Sequence, residues 1–322
     1  MSENVFPILF ASAGRRVELT RCFRDAAERL GLALEVHACD LDPELSAACR
    51  DADRRFAVPR CTDGSYIPTL LDYCREHGIR MLIPTIDPEL TPLAEARERF
   101  AEIGTFVHVS SAQTIAIVRD KALTASTLGD AGVPVPRTIE LSTREALPSD
   151  WNWPSFIKPS GGSASRGIGV VETTADIRDS YDEPMILQEL LSGDEYTVNI
   201  YVDADGKLQS VIPHVRLSVR AGEVEKGRTV RRADIHAIAQ AIVDCLPGLR
   251  GIACFQLIDD AARGLRVFEI NARFGGGYPL ADHAGGRFAE SILALASGNA
   301  ECASDDWREG ATMLRYDAAI FV

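Results

Sequence analysis

Between residues 5 and 109, short apolar runs alternate with stretches of helical periodicity, and this rhythm leaves few architectures open. Val5–Ser12 reads as a strand and Gly14 as a turn. Val17, Leu19, Cys22, Phe23, Ala26, Ala27 and Leu30 then recur at helical spacing through Arg15–Leu30. Ala33–Cys39, Phe56–Val58, Ile79–Ile83 and Thr105–Val109 read as further strands, and Tyr66–His77 and Leu90–Phe100 as helices. Such alternation implies a mostly parallel open sheet with helices on both faces. Ligands of such sheets gather beyond the carboxyl ends of the strands. Ser12–Arg16, Asp40–Asp42 and Pro84–Glu89 are thereby expected on one rim.

The pattern changes after residue 110. Helices are expected at Ala112–Val118 and Lys121–Ala131, stopped by the run from Gly132 to Pro136. Strands follow at Phe156–Lys158, Ile168–Glu172, Met185–Leu190, Tyr196–Val202 and Leu208–Val219, with Asp203–Gly206 as a hairpin turn. A helix at Ala233–Cys245, strands at Ile252–Asp259 and Leu265–Asn271, a helix at Phe288–Ala296 and a strand-like end at Met313–Val322 complete the chain. With 322 residues, more than one compact domain is expected. The divisions fall at 1–110 (α/β domain), 111–205 (linking helices and first lobe) and 206–322 (second lobe).

A net charge of −13 argues against nucleic acid and anionic membranes as partners, because both attract positive protein surfaces. Eight scattered cysteines without a C-x-x-C pair argue against a disulfide framework. No apolar run reaches the roughly 20 residues that span a bilayer. The start, Met1-Ser2-Glu3-Asn4, lacks a basic leader region. A cytoplasmic location is expected.

Three segments carry chemistry. In the hairpin of residues 252–273, a loop at Ala261–Gly264 pairs Asp260 with Leu265 and sets Gln256 opposite Glu269. Alternation puts Glu269 and Asn271 on one face, away from Phe268 and Ile270. Magnesium takes hard oxygen ligands, a few from protein and the rest from phosphate and water. Gln256, Glu269 and Asn271 suit that need, and Arg273, two residues on, could counter charge on a phosphoryl group. An exposed polar hairpin face is the competing reading. In the second segment, Lys158 ends a strand before the small-residue loop Ser160-Gly161-Gly162-Ser163-Ala164-Ser165-Arg166-Gly167. Glycines let backbone N–H groups approach phosphate oxygens and the lysine adds fixed charge, although this is no P-loop. A plain hairpin loop is the alternative. In the third, Glu189 and Glu195 flank a turn and could bind adenine and ribose, or face water.

The order of these signals, from Lys121 and Lys158 through Glu189 and Glu195 to Gln256, Glu269 and Asn271, resembles that of the ATP-grasp superfamily. Ala13–Leu19 (AGRRVEL), Ile83–Leu90 (IPTIDPEL) and Asn271–Pro279 (NARFGGGYP) are similar to members related to the carbamoyl-phosphate synthase large chain and the pyrrolysine-biosynthesis ligase. The resemblance implies an ATP-grasp fold: an N-terminal open parallel-sheet domain and two α+β lobes clasping ATP. It implies that Lys121 and Lys158 contact phosphates under a lid that includes Ser160, Gly161, Gly162 and Ser163. Gln188, Glu189 and Leu190 would line the adenine pocket and Glu195 would hold the ribose. Gln256, Glu269 and Asn271 would hold two magnesium ions, with manganese as a substitute, and Arg273 would bind the γ-phosphate or an acyl phosphate.

The activity so implied is an ADP-forming ligation of a small-molecule carboxylate to an amine, or to a thiol. A small-molecule kinase and a non-catalytic nucleotide-binding module are the alternatives, and a homodimer is an open expectation. The acceptor site is less legible. Arg15, Arg16, Asp87 and Glu89 sit on the N-terminal rim, with Asp87 also suited to capping the next helix. Arg216 could face pocket or water and is the candidate anion ligand. Arg220 and Lys226 read as surface charge, and His283 as structural.

Overall fold

The computed structural model describes residues 5–141, 147–162 and 167–322. The expected phosphate-loop residue Ser163 lies outside them.

The N-terminal domain is the open parallel sheet that the alternation implies. Strands β1 (Phe6–Ala11), β2 (Leu34–Asp40), β3 (Arg54–Ala57), β4 (Met81–Pro84) and β5 (Phe106–Val107) run in the order β3-β2-β1-β4-β5. Helices α1 (Val17–Leu30), α3 (Tyr66–His77) and α4 (Leu90–Glu102) cover them. A short α2 (Ala47–Asp51), capped by Ser46, was not legible because one turn leaves no periodic pattern.

Helices α5 (Ala112–Arg119) and α6 (Lys121–Asp130) lead into the first lobe. Its four-stranded sheet has the order β6-β9-β7-β8, from β6 (Thr138–Leu141), β7 (Ser155–Pro159), β8 (Gly169–Val171) and β9 (Met185–Glu189). The second lobe is a six-stranded sheet, order β14-β13-β10-β11-β12-β15. Its members are β10 (Gly193–Val202), β11 (Leu208–Arg220), β12 (Glu223–Thr229), β13 (Gly251–Asp260), β14 (Gly264–Asn271) and β15 (Thr312–Leu314). Helices α7 (Ala233–Cys245), α8 (Tyr278–Ala284) and α9 (Phe288–Ala296) complete it. Because β10 pairs with β11 and β13, the boundary expected at 205 falls inside this sheet, and we propose the lobe division ahead of Gly193. β12 escaped the sequence reading because its buried positions are Val224, Gly227 and Thr229, only one of them a strong apolar signal. The strand expected over Met313–Val322 shrinks to three residues.

Apolar packing divides the molecule unevenly. One core joins β1 and α1 to α8 and α9, with Phe23 edge-on to Phe274 at 5.4 Å. A second runs from α3 and α4 into β10, β13 and α7. The first lobe has a separate small core of Trp151, Ile157, Val171, Met185 and Leu187. The N-terminal domain and second lobe thus form one packed body, against which the first lobe stands as a lighter piece. Among the described residues no helix is long and apolar enough to cross a membrane.

The hairpin β13–β14 departs from simple alternation. Gln256 pairs with Glu269 as expected, but Asp260 pairs with Gly264 rather than Leu265. The register shifts between Gln256 and Leu257, leaving Phe268 as an extra residue on β14. Gly264 leaves the turn at φ +71°, a left-handed conformation that strains any residue with a Cβ. Gly264→Ala is expected to cost about 1 kcal/mol and to lower the melting temperature while ATP turnover persists; thermal denaturation checks it.

Candidate active site

Two sheet faces and the N-terminal rim enclose a cleft of about 640 Å³, within the range of small-molecule sites. Strand alternation decides what faces it. On the second lobe, Thr197 pairs with Gln256 and Glu195 with Ile258, so Glu195, Thr197, Gln256 and Ile258 share the cleft-facing side with Glu269 and Asn271. The opposite side carries Val198, Phe255 and Leu257 into the core. On the first lobe, Phe156 pairs with Gln188, and Lys158 lies two residues on. All three line the cleft. The rim supplies Arg15, Arg16 and Thr85–Asp87.

The charged groups meet in pairs across element boundaries. Lys121 Nζ lies 3.4 Å from Glu269 Oε1 and donates to the Gly162 carbonyl at 2.5 Å. Lys158 Nζ is buried between aromatic faces, 5.8 Å from the Phe156 centroid and 5.3 Å from that of Phe268. Burial pushes its pKa down to about 8, with Lys121 pushing the same way and Glu269 opposing. Phe268 is a correction to the strict alternation expected: the bulge turns it toward the cleft beside Glu269.

Arg273 forms a fork-to-fork pair with Asp87, Nε to Oδ1 at 2.9 Å and Nη2 to Oδ2 at 2.5 Å, and Nη2 also donates to Asn271 Oδ1 at 3.2 Å. Burial would raise the Asp87 carboxyl, but the guanidinium outweighs it and holds the group below its ordinary value. Asp87 is therefore an interdomain counter-ion rather than a helix cap. Its neighbour Glu89 is withdrawn from the rim. It is fully buried, accepting from Ser12 Oγ at 2.6 Å, Tyr66 Oη at 2.7 Å and Thr85 N at 2.6 Å.

At the opposite end, Arg216 faces the cleft and pairs with Glu195, while its Nη2 donates to the Gly222 carbonyl at 2.7 Å. Burial, with a contribution from Glu269, keeps Glu195 above the ordinary carboxylate value despite that guanidinium. Glu189 pairs with Arg263, and Gln188 Nε2 donates to Thr138 Oγ1 at 2.8 Å. Leu190 lines the cleft; Ser160 and Gly161 do not. The Ser160 hydroxyl donates to Asp120 Oδ1 at 2.7 Å, tying the loop to the start of α6. Arg220 pairs with Asp317, Lys226 is exposed, and His283 meets Arg308 on the surface.

Sequence reasoning missed Arg263, Glu223 and Arg315. Arg263 lies in the turn of the β13–β14 hairpin, so its spacing from Glu269 was a usable signal. Glu223 begins β12 directly after the two-residue turn Ala221-Gly222, both with positive φ. Arg315 reaches the cleft residue Glu223 only because β15 pairs with β12.

A PylC-like N-terminal domain model matches residues 8–108, and an ATP-grasp domain model matches residues 118–277. No curated protein matches the chain. Among solved structures, a biotin carboxylase–βγ-ATP complex from Campylobacter jejuni is similar at TM-score 0.76 and 17% identity, covering 95% of this chain and 74% of that one. The biotin carboxylase domain of a Hydrogenobacter thermophilus 2-oxoglutarate carboxylase, in complex with MgADP and bicarbonate, gives 0.72 and 16% over 94% and 72%. An L-amino acid ligase from Bacillus licheniformis gives 0.66 and 19% over 92% and 75%. With both domain models matched in order and the three-part fold in place, the chain is an enzyme of the ATP-grasp superfamily, with a PylC-like N-terminal domain.

Proposed function

We propose that the protein is an ATP- and magnesium-dependent ligase that activates a carboxylate as an acyl phosphate and joins it to an amine, releasing ADP and phosphate. The observation that carries this reading is the convergence of Lys121, Lys158, Glu269, Asn271 and Arg273 in one cleft between two lobes. Gln188, Glu189, Leu190 and Glu195 would bind adenine and ribose at one end. Lys121 and Lys158 would hold the phosphates, with the glycine loop above them.

The donor set fits magnesium: Glu269 supplies one carboxylate, and Gln256 and Asn271 supply amide oxygens. Phosphate and water would complete a shell that needs few protein ligands. These three residues would hold two ions. When bound, the metal neutralises charge on the phosphoryl group. Arg273, pre-oriented by Asp87, adds a fixed guanidinium beside the transferring group. A carboxylate oxygen of the substrate attacks the γ-phosphorus, the bond to the β–γ bridging oxygen breaks, and ADP leaves. The amine nitrogen then attacks the acyl carbon, phosphate departs, and the nitrogen loses a proton. The first lobe, with its own small core, is the body suited to closing and excluding water from the acyl phosphate.

ATP consumption with magnesium against a panel of carboxylic acids and amines tests this. ADP release that depends on one acid and one amine is expected. AMP with pyrophosphate would reject the mechanism, and a stable phosphorylated acid without amide would make the enzyme a kinase.

A further inference from the structure

Positive charge outnumbers negative at the N-terminal end of the cleft, although the chain as a whole is acidic. Arg15 and Arg16, from the loop after β1, and Arg273, from the segment after β14, line that end; Arg315, just beyond β15, is not a lining residue but pairs with Glu223, which is. The carboxylates lining this end are Asp87 and Glu223. Asp87 is occupied by both arms of Arg273. Glu223 alone answers the rest: Arg315 Nη1 at 2.8 Å and Arg16 Nη1 at 3.4 Å. Arg15 is exposed at the mouth and has no ion pair among the described residues.

Two further observations mark this as a built anion site rather than a solvated rim. Gly276 lets Glu223 lie flat on the backbone, since a Cβ there would come 2.8 Å from the Glu223 carboxyl carbon. The Gly276 carbonyl in turn accepts from Arg315. These contacts fix both side chains within a few residues of Arg273. Arg16 also sits among like charges: burial lowers its pKa, Glu223 opposes that, and Arg273 and Arg315 lower it further. Its side chain stays 19% exposed, so a ligand can reach it. Arg315 lies outside both matched segments, 8–108 and 118–277, and is delivered by the pairing of β15 with β12.

We propose that Arg16, with Arg315 sharing its Glu223 partner, holds a second anionic group on the acid substrate, so that the enzyme selects small acids with two anionic groups. This rests on the ligase reading above: the carboxylate being activated lies by Arg273, and the second group, carboxylate or phosphate, lies against Arg16, whose Glu223 partner Arg315 holds in place. A monocarboxylate leaves that positive surplus uncompensated.

The test uses the full chain saturated with magnesium and a non-hydrolysable ATP analogue, titrated calorimetrically with butyrate, succinate and 3-phosphoglycerate. Succinate or 3-phosphoglycerate is expected to bind at least about tenfold tighter than butyrate, the scale of one charge-assisted contact. Succinate as the tighter ligand identifies a carboxylate, and 3-phosphoglycerate a phosphate. Arg315→Gln and Arg16→Gln should each remove that preference while nucleotide affinity, measured alone, stays unchanged; Arg16→Lys should retain it. Equal binding of butyrate, preference surviving both glutamine variants, or no acid binding to the nucleotide-loaded protein overturns the proposal and leaves the ligase reading standing. Failure of the unmodified protein to bind the nucleotide analogue overturns the ligase reading itself, and this proposal with it.

Discussion

Glu269→Ala is expected to leave the fold intact and to lower ATP turnover by at least about a thousandfold, the several kcal/mol that metal-borne charge neutralisation supplies. Glu269 is the one carboxylate of the Gln256–Glu269–Asn271 set, so no neighbour on that hairpin can replace its charge. The fold should survive because the side chain is partly exposed, at 26%, and contributes no backbone pairing. Its loss removes the Lys121 contact, but Lys121 keeps the Gly162 carbonyl. The measurement is ADP release alongside a melting curve. A folded variant with normal turnover would sink the metal assignment, whereas an unfolded one would show Glu269 to be structural.

How much of this was legible in the sequence depended on the range of the interaction. Local periodicity located α3 and α7 at their observed bounds, because Leu70, Leu71 and Cys74, and Ile235, Ile238, Ala239 and Ile242, repeat on one buried face. The Gln256–Glu269 pairing was legible because a hairpin is a local object. The one-residue offset at its turn was not, since the bulge at Phe268 that absorbs it depends on cleft packing. Long-range contacts were out of reach. Arg273 meets Asp87 across 186 positions, and Arg315 meets Glu223 across 92. No periodicity reports such pairs. Asp87 therefore read as a rim carboxylate or a cap, Glu89 as a rim carboxylate and Glu223 as nothing at all. The lobe division shows the same limit: the strong turn at Asp203–Gly206 reads as a division, yet it joins neighbouring strands of one sheet.

On the proposed reading, Lys158 links the nucleotide site to pH. Lys158→Met is expected to weaken nucleotide binding about tenfold to a hundredfold at neutral pH, the range for a charge-assisted contact made in a desolvated site. The unmodified protein adds a diagnostic dependence. In the free protein, burial depresses the lysine from 10.5 to about 8. The unfolded chain therefore holds more protons than the folded one between these values, and this group makes stability rise with pH through that window. A bound phosphate reverses the effect by favouring the ammonium. Nucleotide binding above about pH 8 should take up a proton, and affinity should fall by up to about tenfold per pH unit. One side chain thus drives stability and affinity in opposite directions over the same range, and both trends should flatten in Lys158→Met. Calorimetry in buffers of different ionisation enthalpy measures the proton uptake directly. An affinity independent of pH, or a pH profile shared by the variant, would mean that the lysine ahead of the glycine loop does not hold phosphate.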